Sequence, residues 1–115
     1  MRIETELMRG AGPVAVLKVL ERGELYGYEL VETLAKRSDG LLNMGQSTLY
    51  PMLYNLEAKG LVASRWEGGE GRPRKYYRLT DKGKKKLVTA SKEWKDMAQA
   101  LSALGILLLA PLAGA

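Results

Sequence analysis

A chain of 115 residues, 46% hydrophobic and 27% charged, is one domain's worth of sequence with a modest core and is not a disordered tail. It holds neither Cys nor His, which excludes disulfides, thiolate or imidazole metal sites and Cys- or His-based catalysis, so neither an enzyme nor a metal or cofactor is expected. The net charge of +5 is concentrated: between Arg65 and Asp96 eleven Lys and Arg stand against five Asp and Glu, and seven stand against eight in the rest. Such a region suits a polyanion, either nucleic acid or an anionic membrane surface, although a solvated face uses charge in the same way.

The N-terminal stretch MRIETELMRGAG mixes charges with apolar residues, so no secretory signal is expected. PVAVLKVLERGE reads as a helix with Val14, Leu17 and Leu20/Glu21 on one face, closing at Gly23. Pro13 either opens that helix or interrupts a longer one from near Glu4. YGYELVETLAKRSDG is a second helix, with Leu30, Val31 and Leu34 inward and Lys36 and Arg37 in the last turn, where cations suit the dipole; Gly40 ends it. The third helix covers roughly residues 46–59 around STLYPMLYNLEAKGL, with Leu49, Leu53 and Leu56 inward and Gly60 as its stop.

The period then changes. LVASRWE and RKYYRLT are two short runs rich in β-branched and aromatic residues, joined by GGEGRP, which predicts a hairpin with a glycine-rich tip. Strand alternation places Tyr77 and Leu79 on one face and Tyr76 and Arg78 on the other. Thr80 opens a last helix that runs through GILLLA. Its apolar residues Leu87, Ala90, Trp94, Met97, Leu101, Leu104 and Leu108 step by alternating threes and fours, a seam suited to pairing with another helix. The uncharged end, ALSALGILLLAPLAGA, has 16 residues, short of the roughly 20 that a membrane-spanning helix needs.

The predicted fold is mostly α with a small β-hairpin: a winged helix-turn-helix over residues 1–80, then a long C-terminal dimerisation helix with an apolar tail over 81–115. In a helix-turn-helix the second helix enters the DNA major groove with its N-terminal end first. Ser47, Thr48 and Tyr50 form that tip, and Asn55 and Lys59 lie on the exposed stripe. Free N–H groups of the first turn suit a phosphate. The plainer role of Ser47 and Thr48 is capping alone. Pro51 is tolerable because few i−4 bonds exist so near a helix start. On the wing, Arg72, Arg74, Lys75 and Arg78 surround the tip, and Arg72 and Arg74 suit the backbone or a minor groove.

YGYEL, STLYPMLYNLEAKGLV and GRPRKYYRLTDKG together resemble the core pattern of PadR-type transcriptional regulators, over roughly residues 5 to 97. Pro51 is then a family feature, and the chain length resembles the short subfamily with a single C-terminal helix. The resemblance implies a homodimeric and ligand-responsive regulator, usually a repressor, on a palindromic double-stranded DNA operator, and the lack of Cys suits a cytoplasmic place for it. It implies that Thr48, Tyr50 and Tyr54 read DNA, that the wing from Arg72 to Tyr76 grips the backbone, and that the first and last helices build the dimer. It further implies that Trp94 sandwiches a flat aromatic or hydrophobic effector between subunits, with Met97, Met8, Val14 and Leu17 available to line that cavity; the plainer reading is a filled interface. Two positions depart from the pattern: Gly45 replaces the usual Ser or Asn cap, and the tail from Gly105 is apolar where the short members end in a charged helix. The rival reading is a winged-helix interaction or membrane-associated adaptor anchored through residues 100–115, although no membrane partner is expected for the main reading.

Overall fold

The computed structural model describes residues 3–108. It contains α1 (Thr5–Leu20), β1 (Leu25–Tyr26), α2 (Gly27–Arg37), α3 (Gln46–Ala58), β2 (Val62–Glu67), β3 (Arg74–Leu79) and α4 (Asp81–Ala103). The three strands form an antiparallel sheet in the order β1-β3-β2. Three helices closed by a two-stranded wing and followed by a long helix are a winged helix-turn-helix, as the element order predicts.

α1 is the longer of the two helices the sequence allowed, with Pro13 in its interior. The proline removes one hydrogen bond, to the carbonyl of exposed Arg9, which water can replace. The buried face of α1 carries Gly12, Val16, Leu17, Val19 and Leu20. Leu30 and Leu34 of α2, Leu49, Leu53 and Leu56 of α3, and Leu61, Val62, Tyr77 and Leu79 of the wing complete the core. Met44, in the connection between α2 and α3, is also buried. Met44 and Met52 pack around Gly12, where a Cβ would meet Met52 Cε at 2.6 Å; the pliable thioethers fill the space the glycine leaves.

Two predicted pairing or lining residues belong to this core instead. Leu87 is 3% exposed and Leu17 is 1% exposed, so neither is on the surface of the chain. Leu87 sits in the second turn of α4, which the wing and α1 cover, and the apolar seam that remains open begins beyond it. The last helix also ends earlier than expected. α4 stops at Ala103, Leu104 is its C-cap, and Gly105 turns the chain with a φ of 84°. Leu108 is therefore not on a helical seam and is fully exposed. The rest of the expected apolar tail, residues 109–115, lies outside the described residues. Among the described residues no helix is long and apolar enough to cross a membrane.

Thr80 joins α4 to the domain. Its hydroxyl accepts from the Gly83 N–H at 2.9 Å and donates to the Gly60 carbonyl at 2.7 Å, while Lys82 Nζ donates to the Lys59 carbonyl at 2.8 Å. The start of α4 is thus fixed to the end of α3.

Candidate nucleic-acid interface

α3 starts without a side-chain cap. Gly45, in extended conformation, is its N-cap, and the Gly45 carbonyl accepts from the N–H groups of Thr48 and Leu49. Among the described residues no hydrogen bond engages the hydroxyls of Ser47 or Thr48. Both residues are exposed, so their hydroxyls are available to a ligand and are not spent on capping. The helix turns Leu49, Met52, Leu53 and Leu56 into the core and leaves Ser47, Thr48, Tyr50, Tyr54, Asn55 and Lys59 exposed on the opposite arc. Tyr54 is 74% exposed. Gln46, in the first turn, is exposed beside them and was hidden in the sequence by the uncertain helix start.

Tyr50 is placed by a close approach. A Cβ at Gly27 would lie 2.6 Å from the Tyr50 hydroxyl oxygen and 3.2 Å from Cζ. The bare backbone at the start of α2 is therefore the bed on which the Tyr50 ring lies, which explains why that helix opens on glycine.

The wing distributes its basic residues over two faces. On the outer face the Arg74 guanidinium lies 4.8 Å from the Tyr26 ring centre and the Arg65 guanidinium 4.9 Å from that of Tyr76. Tyr26 meets Tyr76 edge-on at 5.6 Å and stacks with Tyr28 at 6.5 Å. These are favourable cation–π and aromatic geometries. Lys75 points to the other face, where its Nζ lies 5.7 Å from the Trp66 ring centre and 4.0 Å from the Glu57 carboxylate of α3. Glu57 also accepts a hydrogen bond from the Ser64 hydroxyl. The expected wing set therefore divides: Arg74 and Tyr76 share one face, Lys75 faces α3, and Arg72 lies on the exposed tip. Tyr26, Tyr28, Arg65 and Trp66 were not singled out from sequence. β1 carries Tyr26, and a two-residue strand is too short to show a period.

Charge at the wing base is held by Arg65 and Glu24, which pair through Nε at 2.9 Å and a terminal nitrogen at 2.5 Å. The hydrogen bonds from Arg65 hold the Glu24 carboxyl below its ordinary 4.5. A depressed carboxyl contributes stability above the unfolded value and loses it as the pH falls through the folded one. A thermal-denaturation series across the acid range should show wild type losing more stability than Glu24→Gln below about pH 4.5. The difference should be small because both partners are exposed. Tyr77 moves the other way: burial, then Tyr50 and Glu57, push its phenol up.

The model of the PadR-like transcriptional regulator family matches residues 16–89. That span holds α2, α3, the whole wing and the first turns of α4. The chain belongs to the PadR-like family of transcriptional regulators. A transcriptional regulator of Mycobacterium tuberculosis, Rv3488, is 30% identical over 94 residues, which cover 82% of this chain and 85% of that protein. A PadR family regulator from Eggerthella lenta is 39% identical, with a TM-score of 0.77 over 86% of this chain and 85% of that one. A transcriptional regulator from Clostridium thermocellum superposes with a TM-score of 0.81 at 29% identity, over 86% of this chain and 97% of that one. The PadR-like match fits the absence of any Cys or His in the sequence, since the family is one of regulators and not of enzymes.

The expected pairing and effector residues lie at the other end of this PadR-like chain. Trp94 is 40% exposed and lies against α1, where a Cβ at Gly10 would be 3.8 Å from Trp94 Cζ2. Met97 and Leu104 are exposed, Leu101 and Ala90 half-buried. Met8 and Val14 are half-buried against the core. Of the five residues expected to line an effector cavity, Leu17 is thus separated from the rest.

Proposed function

We propose that this chain is a DNA-binding regulator that acts as a homodimer on a palindromic operator, with α3 entering the major groove and the wing lying along the flanking backbone. The observation that carries the reading is the tip of α3: two hydroxyls without partners among the described residues, flanked by two exposed tyrosines, next to an arginine-bearing hairpin. Residues 1–80 are assigned to DNA binding and residues 81–115 to pairing, with Leu87 of α4 packed into the core of the first part. Pairing uses Trp94, Met97, Leu101 and Leu104 of α4 with Leu7 of α1, an apolar set too extensive to be a scatter of single surface residues. Two copies of Trp94 facing across that interface suit a flat aromatic or hydrophobic effector between them. Such a molecule would change the distance between the two reading helices, which gives a repressor a route to release its operator.

The test begins with selection of bound sites from random duplex DNA. On the selected operator, Arg74→Ala should weaken binding to operator and unrelated duplex alike and lower the salt slope by about one. Thr48→Ala and Tyr50→Ala should instead cost roughly 1–3 kcal/mol on operator alone. Gel shifts across a salt series separate the two patterns. An Arg74→Ala protein with wild-type affinity and slope removes the wing from the interface.

A further inference from the structure

The basic residues of α4 take no part in the interface described above. Lys82, Lys84, Lys85 and Lys86 fall in its first two turns, and Lys92 and Lys95 follow; all six are exposed. This arrangement does not serve the helix itself, because the N-terminal end of a helix carries positive partial charge and favours acids. Only Asp81 follows that rule in the first turn. Among the described residues only two of the six lysines are neutralised locally. Lys84 reaches Asp81 at 3.8 Å and Lys92 reaches Asp96 at 3.1 Å, but among the described residues Lys85, Lys86 and Lys95 pair with no carboxylate.

Position separates this strip from the groove-reading tip. Lys82 is bonded to the carbonyl that ends α3, so the strip begins one length of α3, roughly 20 Å for 13 residues, behind Ser47. Ser47 and Thr48, at the opposite end of α3, are therefore about that far from the start of the strip. The outward face of the first half of α4, where most of the strip lies, is also polar. Between Asp81 and Glu93, Val88 is the one exposed large apolar side chain among the described residues, whereas a helix that lies in a bilayer surface needs a continuous apolar face. Lys82, Lys85, Lys86 and Lys92 instead rise over about 15 Å of helix, a spaced row suited to a row of phosphates.

We infer that the lysine strip of α4 is a second, sequence-independent DNA site, which holds a separate duplex segment while α3 and the wing hold the operator. The inference rests on the DNA-reading proposal above. It makes the protein a bridge between an operator and distant or neighbouring DNA.

The experiment uses the full chain. Beads carry the selected operator and are loaded with protein, and a short fluorescent duplex of unrelated sequence is added in solution. Wild type should capture that duplex. With about three phosphates neutralised, capture should weaken by roughly forty-fold between about 50 and 200 mM salt. The triple variant Lys85→Gln, Lys86→Gln, Lys92→Gln should hold operator within about two-fold of wild type and lose about ten-fold or more in capture, as expected for lost phosphate contacts. A protein that binds no selected operator overturns the reading and the bridge together. One that binds operator and captures nothing overturns the bridge alone, as does capture that the triple variant leaves unchanged. If the lysines instead drive co-sedimentation with phosphatidylglycerol vesicles and no duplex is captured, a membrane surface takes the place of DNA and the inference falls.

Discussion

Gly83→Ala should abolish cooperative folding or lower the melting temperature by about 10 °C or more, a loss of roughly 3 kcal/mol in a domain of this size. The added Cβ would sit far inside van der Waals contact of the Leu61 carbonyl oxygen, with the Leu79 Cδ1 atom at 2.9 Å and the Leu61 carbonyl carbon at 3.0 Å. Backbone cannot turn aside as a flexible side chain can. The Leu61 carbonyl is also engaged, accepting from the Thr80 N–H at 3.2 Å, with the Thr80 hydroxyl oxygen 3.0 Å away. Relief therefore requires α4 to move away from the wing, which would also expose Leu87 and part of the Leu79 contact. Urea and thermal denaturation followed by circular dichroism check this. A Gly83→Ala protein as stable as wild type would mean that the close approach of α4 to the wing is not maintained in solution.

Met97→Glu should leave the fold of each subunit intact and dissociate the proposed dimer. Met97 is 53% exposed in the single chain, so the substitution leaves no cavity and buries no charge within the subunit. In a pair related by a two-fold axis the same substitution appears on both sides of the seam, which places two desolvated carboxylates in one apolar contact. Sedimentation should show monomers at concentrations where wild type is paired, with the melting curve of the domain retained. Operator affinity should drop by a factor on the order of 10² to 10⁴, because the two half-sites no longer benefit from linked binding. Dimers of undiminished stability would move pairing to another surface.

The parts of the fold that could be read from the sequence are those with a long period or strong punctuation. Leu49, Leu53 and Leu56 recur at helical spacing in a segment that Gly60 ends, and Tyr77 and Leu79 alternate within a strand; both patterns are buried as expected. Features that depend on tertiary contact were not legible. Leu87 continues the heptad of Trp94 and Leu101, and nothing local distinguishes a residue covered by its own wing from one covered by a second chain. Leu17 is ambiguous in the same way. β1 has two residues and exists because β3 offers it an edge. The helix that was expected to continue through GILLLA stops at Gly105, where a positive φ overrides the apolar run. At the candidate site, exposure of the α3 tip followed from helical spacing, but the placement of Arg74 over Tyr26 joins residues almost fifty positions apart and no spacing rule reveals it.

That pair has a mechanical consequence. Tyr26 lies under the wing arginine, and its neighbour Gly27 lies against the Tyr50 ring, so one dipeptide touches both the hairpin and α3. If α3 and the wing hold DNA as proposed, that dipeptide sets the offset between them, and a duplex whose groove and flanking backbone lie at another offset should fit less well.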